Sequence, residues 1–189
     1  LVGVIGFPLF YYVWGYVFIQ PYENLPLRLL GAFFTAGLLI SPFWPRKWYK
    51  FMPVWWYLTI LYCLPTFFFF IMLKNNAATV PSMAMLIAIF LMILLLDWIS
   101  FLVMLVIGMS IGGLMYYLTT PNPVIPDMLP TYFAVFSFAI ASGAIFNYKT
   151  ALLHQHRLEG MAAVTGNVAH ELRTPMLGIK GGIAGLRKY

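Results

Sequence analysis

Charge is what this sequence has least of. Only 8% of its 189 residues are Asp, Glu, Lys or Arg, and just five are acidic. Against that scarcity, 62% of the chain is apolar and the mean hydropathy is +0.88. No soluble domain of this length hides so much apolar surface in a core, which leaves a bilayer as the solvent. The net charge of +6 is too small and too dispersed for a nucleic-acid partner. Cysteine is nearly missing too. Cys63 stands alone inside an apolar run, which excludes an intramolecular disulfide and reads as a small buried hydrophobe. The first apolar run has neither a basic flank nor a small-residue cleavage site, so no cleavable signal peptide is expected. The chain starts at Leu1 rather than at a methionine, and we expect it to be part of a longer protein.

What is present is apolar length. A membrane-spanning helix takes about 20 apolar residues. Six runs approach that length: Leu1–Gln20, Leu27–Phe43, Pro53–Leu73, Pro81–Leu96, Ile99–Thr119 and Leu129–Tyr148. Pro21, Pro45 and the Pro121, Pro123, Pro126 cluster punctuate three of the connections, because proline cannot continue a helix without losing a backbone bond. Runs four and five form one long apolar stretch that Asp97-Trp98 interrupts. A carboxylate suits an interface and not mid-bilayer, so a tight hairpin is expected there, with Asp97 a turn residue or an interface ion partner. The basic residues Arg46, Lys47 and Lys50 lie between runs two and three, on the same side as Lys149 and Arg157. The other side carries Arg28 and Lys74 balanced by Glu23 and Asp127. The positive-inside rule then puts both termini of the chain in the cytoplasm of a bacterial inner membrane.

Beyond Tyr148 the pattern changes. Met161, Val164, Val168, Leu172, Met176, Ile179, Ile183 and Leu186 recur at steps of three or four, which draws one apolar stripe down a helix. The economical cover for such a stripe is a second copy of the chain, in a coiled coil or bundle. The expected architecture is an all-α membrane protein, with a six-helix transmembrane domain over 1–148 and a juxtamembrane helix over 149–160. A dimerisation segment begins over 161–189, as one helix of a coiled coil or bundle in a homodimer.

His170 sits off that stripe, two residues from Val168 and two from Leu172, where another domain can reach it. A neutral imidazole nitrogen accepts a phosphoryl group, and its near-neutral pKa keeps that form available. Glu171 can hold the other ring nitrogen. Thr174, one turn on, can position a water in line with phosphorus. Pro175 removes the bond to the Glu171 carbonyl and is expected to bend the helix beside the histidine.

The string His170-Glu171-Leu172-Arg173-Thr174-Pro175 resembles the H-box of sensor histidine kinases. That resemblance implies His170 as phospho-acceptor, Glu171 as base and Thr174 as helper in dephosphorylation, and makes 161–189 the start of the dimerisation and phospho-acceptor domain, the first helix of a four-helix bundle in the dimer. It also implies an ATP-binding catalytic domain outside this chain that takes ATP and Mg2+, with neither bound by this segment. Downstream partners would be a receiver domain, fused or separate, and a phosphotransfer protein. Further likeness lies in Gly6-Phe7-Pro8, Tyr11-Tyr12, Gln20-Pro21-Tyr22-Glu23-Asn24-Leu25, Lys47-Trp48 and Cys63-Leu64-Pro65, which resemble the CqsS/LqsS group of quorum-sensing kinases. These bind α-hydroxyketone autoinducers, small ketones with a linear alkyl tail, and in them ligand turns kinase activity down.

The residues allow such a ligand on their own terms. Short external loops offer a soluble peptide or sugar little to hold, whereas a lipophilic molecule can enter between helices. In run six, Phe138, Ser142 and Phe146 share a face at steps of four, and by the resemblance Phe138 and Phe146 fall near ligand-lining positions. Polar and aromatic positions of the family's fourth span fall on Pro81 and Ala84, a departure from its pattern. His154 and His156, two apart, point to different sides of a helix and read as solvated interface residues, with no metal site expected. Gly108-x-x-x-Gly112 permits close helix approach and is expected to serve packing within the chain rather than a dimer. Two other readings are a six-span kinase that senses the state of the bilayer, and a transporter. The transporter reading demands charged groups within the spans and ranks last. A phenylalanine at 146 fills volume where some relatives have a cysteine, so dose-responses should favour ketones with short tails. Preference for the longest tail would contradict that reading.

Overall fold

The computed structural model describes the backbone of residues 1–186 and the side chains of residues 1–161 apart from His154. Among these residues the fold is helical, with no strand. It divides into two units, Leu1–Asn147 and Tyr148–Tyr189.

Helix α1 (Val2–Tyr12) passes into a π-helical turn, Val13–Val17, and the chain becomes extended at Phe18. It stops short of the expected Gln20 because the residue ahead of Pro21 is turned away from helical geometry. Helix α2 (Leu25–Leu39) begins two residues earlier than the apolar run. Asn24 caps it by accepting from the Leu27 N–H at 3.1 Å, and Pro26 fits its first turn. Two short 3-10 turns, Ser41–Phe43 and Arg46–Phe51, carry exposed Arg46, Lys47 and Lys50 beside Trp44 and Trp48. Helix α3 (Met52–Leu61), a second π turn (Tyr62–Thr66) and α4 (Phe67–Lys74) follow without a break as one helical rod. Helices α5 (Thr79–Leu95) and α6 (Trp98–Thr119) form the hairpin expected at Asp97, and α7 runs Leu129–Leu186. Asp97 is the turn residue and cap of α6, accepting from the Ser100 N–H at 3.0 Å. That bond, with help from the Ser100 hydroxyl, holds its carboxyl below the usual carboxylate range.

Among the described residues, three helical stretches are long and apolar enough to cross a membrane: Arg46–Lys74, Trp98–Thr119 and Leu129–Met161. Val2–Val17, Leu25–Leu39 and Thr79–Leu95 are shorter apolar helices. Large side chains such as Ile5, Phe33, Ile87, Leu94, Val106 and Phe133 face outward, a surface suited to lipid rather than water.

The rod of α3, the π turn and α4 is the centre of the first unit. One apolar cluster joins Leu64 and Met72 to Met85, Ile89 and Met92 of α5, Phe101 and Met104 of α6, and Phe136 of α7. A second gathers Phe7, Cys63, Phe67, Phe70 and Ile71 with Leu27 and Tyr22. Cys63 is buried as expected, its thiol 3.6 Å from the Gly31 carbonyl oxygen. Gly108 and Gly112 bring α6 against the π turn. A β-carbon at Gly108 would stand 2.3 Å from Pro65 Cγ, and one at Gly112 would stand 2.8 Å from the Thr66 carbonyl oxygen. The small-residue pair thus serves packing within the chain. Gly108→Ala should destabilise the protein by about 1–3 kcal/mol, because a proline ring cannot swing aside. Gly113→Ala, with its nearest neighbour at 3.6 Å, should change it far less. Unfolding in detergent compares the two variants, and equal effects would refute the close seat.

Candidate functional site

Charged and amide side chains are few, and the fold puts them at the two ends of the first unit. At one end, the Arg28 guanidinium donates to both oxygens of Glu23, at 2.7 and 2.5 Å. The pair is almost wholly buried, and the guanidinium stacks 5.3 Å from the centre of the Phe67 ring. Burial of a paired charge is tolerable only with such complete hydrogen bonding. Asn75, buried after α4, accepts from the Tyr22 N–H at 2.9 Å and donates to the Tyr22 carbonyl at 3.0 Å. Lys74 donates to the Thr119 carbonyl and the Thr120 hydroxyl, while the rings of Tyr22, Phe70 and Tyr116 lie 5.3–5.8 Å from its ammonium. The sequence reading gave Arg28, Lys74 and Glu23 as loop charges. In the structure Arg28 and Glu23 are paired across one connection, and Lys74 ties the end of α4 to the end of α6.

The other end is fastened by α7. Gly143 sits on Ile93, where an added β-carbon would lie 2.1 Å from a methyl. One turn on, the Asn147 amide donates to the carbonyls of Ile93 (3.0 Å) and Leu96 (2.5 Å), acceptors that the end of α5 leaves without helical partners. Phe136 and Ala139 continue this buried face of α7. Asn147 is a residue that sequence reasoning missed. Its one signal was an amide at the end of a run otherwise free of such groups.

The expected ligand residues lie on another face. Phe138, Ser142 and Phe146 share one side of α7, and all three are exposed, Phe138 by 76% and Phe146 by 64%. The first unit does not gather them into its interior. Pro81 is buried and Ala84 half-buried on α5. His156 is exposed, with Nδ1 3.5 Å from a Glu159 oxygen, and among the described residues no cluster of three metal-ligating side chains occurs. The side chains of His154, His170, Glu171 and Thr174 fall outside the described residues. The backbone of the last three belongs to α7.

The chain is helical with long apolar helices, and its last helix carries a string that resembles the H-box of membrane sensor kinases. The chain resembles the quorum-sensing members of that class. It is 32% identical over 184 residues, 94% of its length, to the CAI-1 autoinducer sensor kinase/phosphatase CqsS of Vibrio cholerae serotype O1 (strain ATCC 39315 / El Tor Inaba N16961). It spans 26% of the length of that relative. No family model matches the chain, and no solved structure matches it. Replacing Asn147 by Leu should leave the two α5 carbonyls without a donor and lower stability by about 1–3 kcal/mol. Thermal unfolding in detergent measures this, and an unchanged midpoint would show that the bonds contribute nothing.

Proposed function

We propose that the chain is the sensor part of a dimeric histidine kinase for quorum sensing. Six spans cross the inner membrane with both termini of the chain in the cytoplasm, and they bind a small lipophilic autoinducer of the α-hydroxyketone type. The observation that carries this reading is the likeness to an autoinducer sensor kinase along nearly the whole chain. The H-box string supports it. In this reading the neutral imidazole of His170 attacks the γ-phosphorus of ATP, the bond to the ADP oxygen breaks, and Glu171 takes the ring proton. Thr174 aligns the water that later removes the phosphoryl group. ATP and Mg2+ belong to a catalytic domain outside the chain. The phosphoryl group then passes to a receiver domain, fused or separate, and onward through a phosphotransfer protein.

Ligand binding among the spans biases α7 between two positions, and the helix carries that bias towards His170. A shift of this kind needs a few kcal/mol of differential binding. A second reading keeps the kinase but makes the spans respond to the bilayer itself. Its support is the outward placement of Phe138, Ser142 and Phe146, which leaves that face of α7 open to lipid.

Full-length protein in nanodiscs, given γ-labelled ATP with and without a panel of α-hydroxyketones, separates the readings. Label that appears on the wild type, vanishes in His170→Ala and changes saturably with one ketone supports the receptor kinase. Label that depends on His170 and ignores every ketone supports the bilayer sensor.

A further inference from the structure

Four hydroxyls in the apolar helices of this chain are satisfied in one way. Thr35, Thr59, Ser110 and Thr119 each donate to the carbonyl four residues back, at 3.0, 2.7, 2.8 and 2.7 Å. Buried Ser82 donates to Ala77, five residues back, at 3.2 Å. Thr66 breaks the pattern. It is buried to 3% exposure, and among the described residues its Oγ1 is the one buried side-chain nitrogen or oxygen without a hydrogen-bond partner.

The cause is local. Thr66 closes the π turn Tyr62–Thr66, which contains Pro65. In this turn the Phe67 N–H bonds to the carbonyls of Tyr62 and Leu64, five and three residues back, so the backbone around Thr66 departs from the α geometry that sets a side-chain hydroxyl on the carbonyl four residues back. A bulge of this kind is common at functional positions, and a buried hydroxyl without a partner calls for an occupant that supplies one.

The surroundings fit a small lipophilic occupant. The π turn packs against both α5 and α6. Its Leu64 belongs to a cluster that holds Met72, Met85, Met92 and Met104, flexible thioethers able to repack around a guest. The charged groups nearest the turn, Arg28 over the neighbouring Phe67 ring and its partner Glu23, are already matched to each other, which leaves one polar oxygen as the group to be recognised. We propose that the Thr66 hydroxyl donates its hydrogen bond to the carbonyl oxygen of the ligand, fixing the polar end of an otherwise apolar molecule in the interior of the spans. This rests on the receptor reading given above. It adds a buried hydroxyl to the exposed one that Ser142 offers on α7.

The test uses full-length protein in nanodiscs, a linear α-hydroxyketone to which the wild type responds, and two variants. Thr66→Val keeps the shape and removes the hydroxyl, while Thr66→Ser keeps the hydroxyl. The ketone concentration for half-maximal change in His170 labelling should rise about tenfold or more in Thr66→Val and return to within about threefold in Thr66→Ser. The thermal midpoint of ligand-free Thr66→Val should not fall, because the change removes an unsatisfied group. A Thr66→Val protein that responds like the wild type would overturn the proposal and leave the hydroxyl to a bound water. Loss of response in both variants with a fallen midpoint would also overturn it, in favour of packing. A wild type that ignores every ketone would sink the receptor reading and this anchor with it, and is distinguishable because no variant is needed to see it.

Discussion

The first unit depends on how its central rod survives a proline. In a bilayer no water repairs a broken backbone bond, so a proline mid-helix must be absorbed by the helix and its neighbours. Here the turn Tyr62–Thr66 widens to π geometry, and α6 answers with two glycines that let it close on Pro65 and Thr66. The two adjustments belong together. Without the glycines α6 would stand off the rod, and the cluster shared by α4, α5 and α6 would open. With them, the rod becomes the axis on which both apolar clusters are built.

Polar contacts are placed around that axis with economy. Glu23 with Arg28, Asn75 with Tyr22, and Lys74 with Thr119 close one end. Asp97 on Ser100 and Asn147 on Ile93 and Leu96 close the other. Van der Waals packing between helices in lipid is weakly directional, so a few hydrogen bonds between specific groups fix which ends meet. Asn147 matters most for signalling in the proposed reading, since it pins α7 one residue before the second unit begins.

Much of this was legible from residues. Apolar run length located each helix, proline and Asn24 marked where helices stop and start, and Asp97 was readable as a turn because a carboxylate has few stable positions in an apolar stretch. The glycine pair was readable as packing. Other features were not, because they depend on contacts between segments far apart in the chain. Nothing adjacent to Arg28 reveals that the Phe67 ring will cover it, and nothing near Asn147 reveals the carboxyl end of α5. The periodicity that put Phe138, Ser142 and Phe146 on one face was sound, yet periodicity alone does not say which face turns inward. Gly143 decided that by admitting Ile93. The orphaned hydroxyl of Thr66 was hidden for a similar reason: Pro65 signals a disturbed turn, but not which side chain loses its acceptor.

The enclosure of Lys74 has a consequence for how this protein would look to chemistry performed from outside a cell. Its ammonium is held by two oxygens and faced by three rings, and an acylating reagent must displace all of them before it meets a free amine. In the proposed topology, the chain's other lysines, Lys47, Lys50, Lys149, Lys180 and Lys188, lie on the far side of the membrane. Impermeant amine labelling of intact cells would therefore return a nearly blank surface. That silence would reflect how one side chain is wrapped, and would say nothing about whether its loop is truly outside.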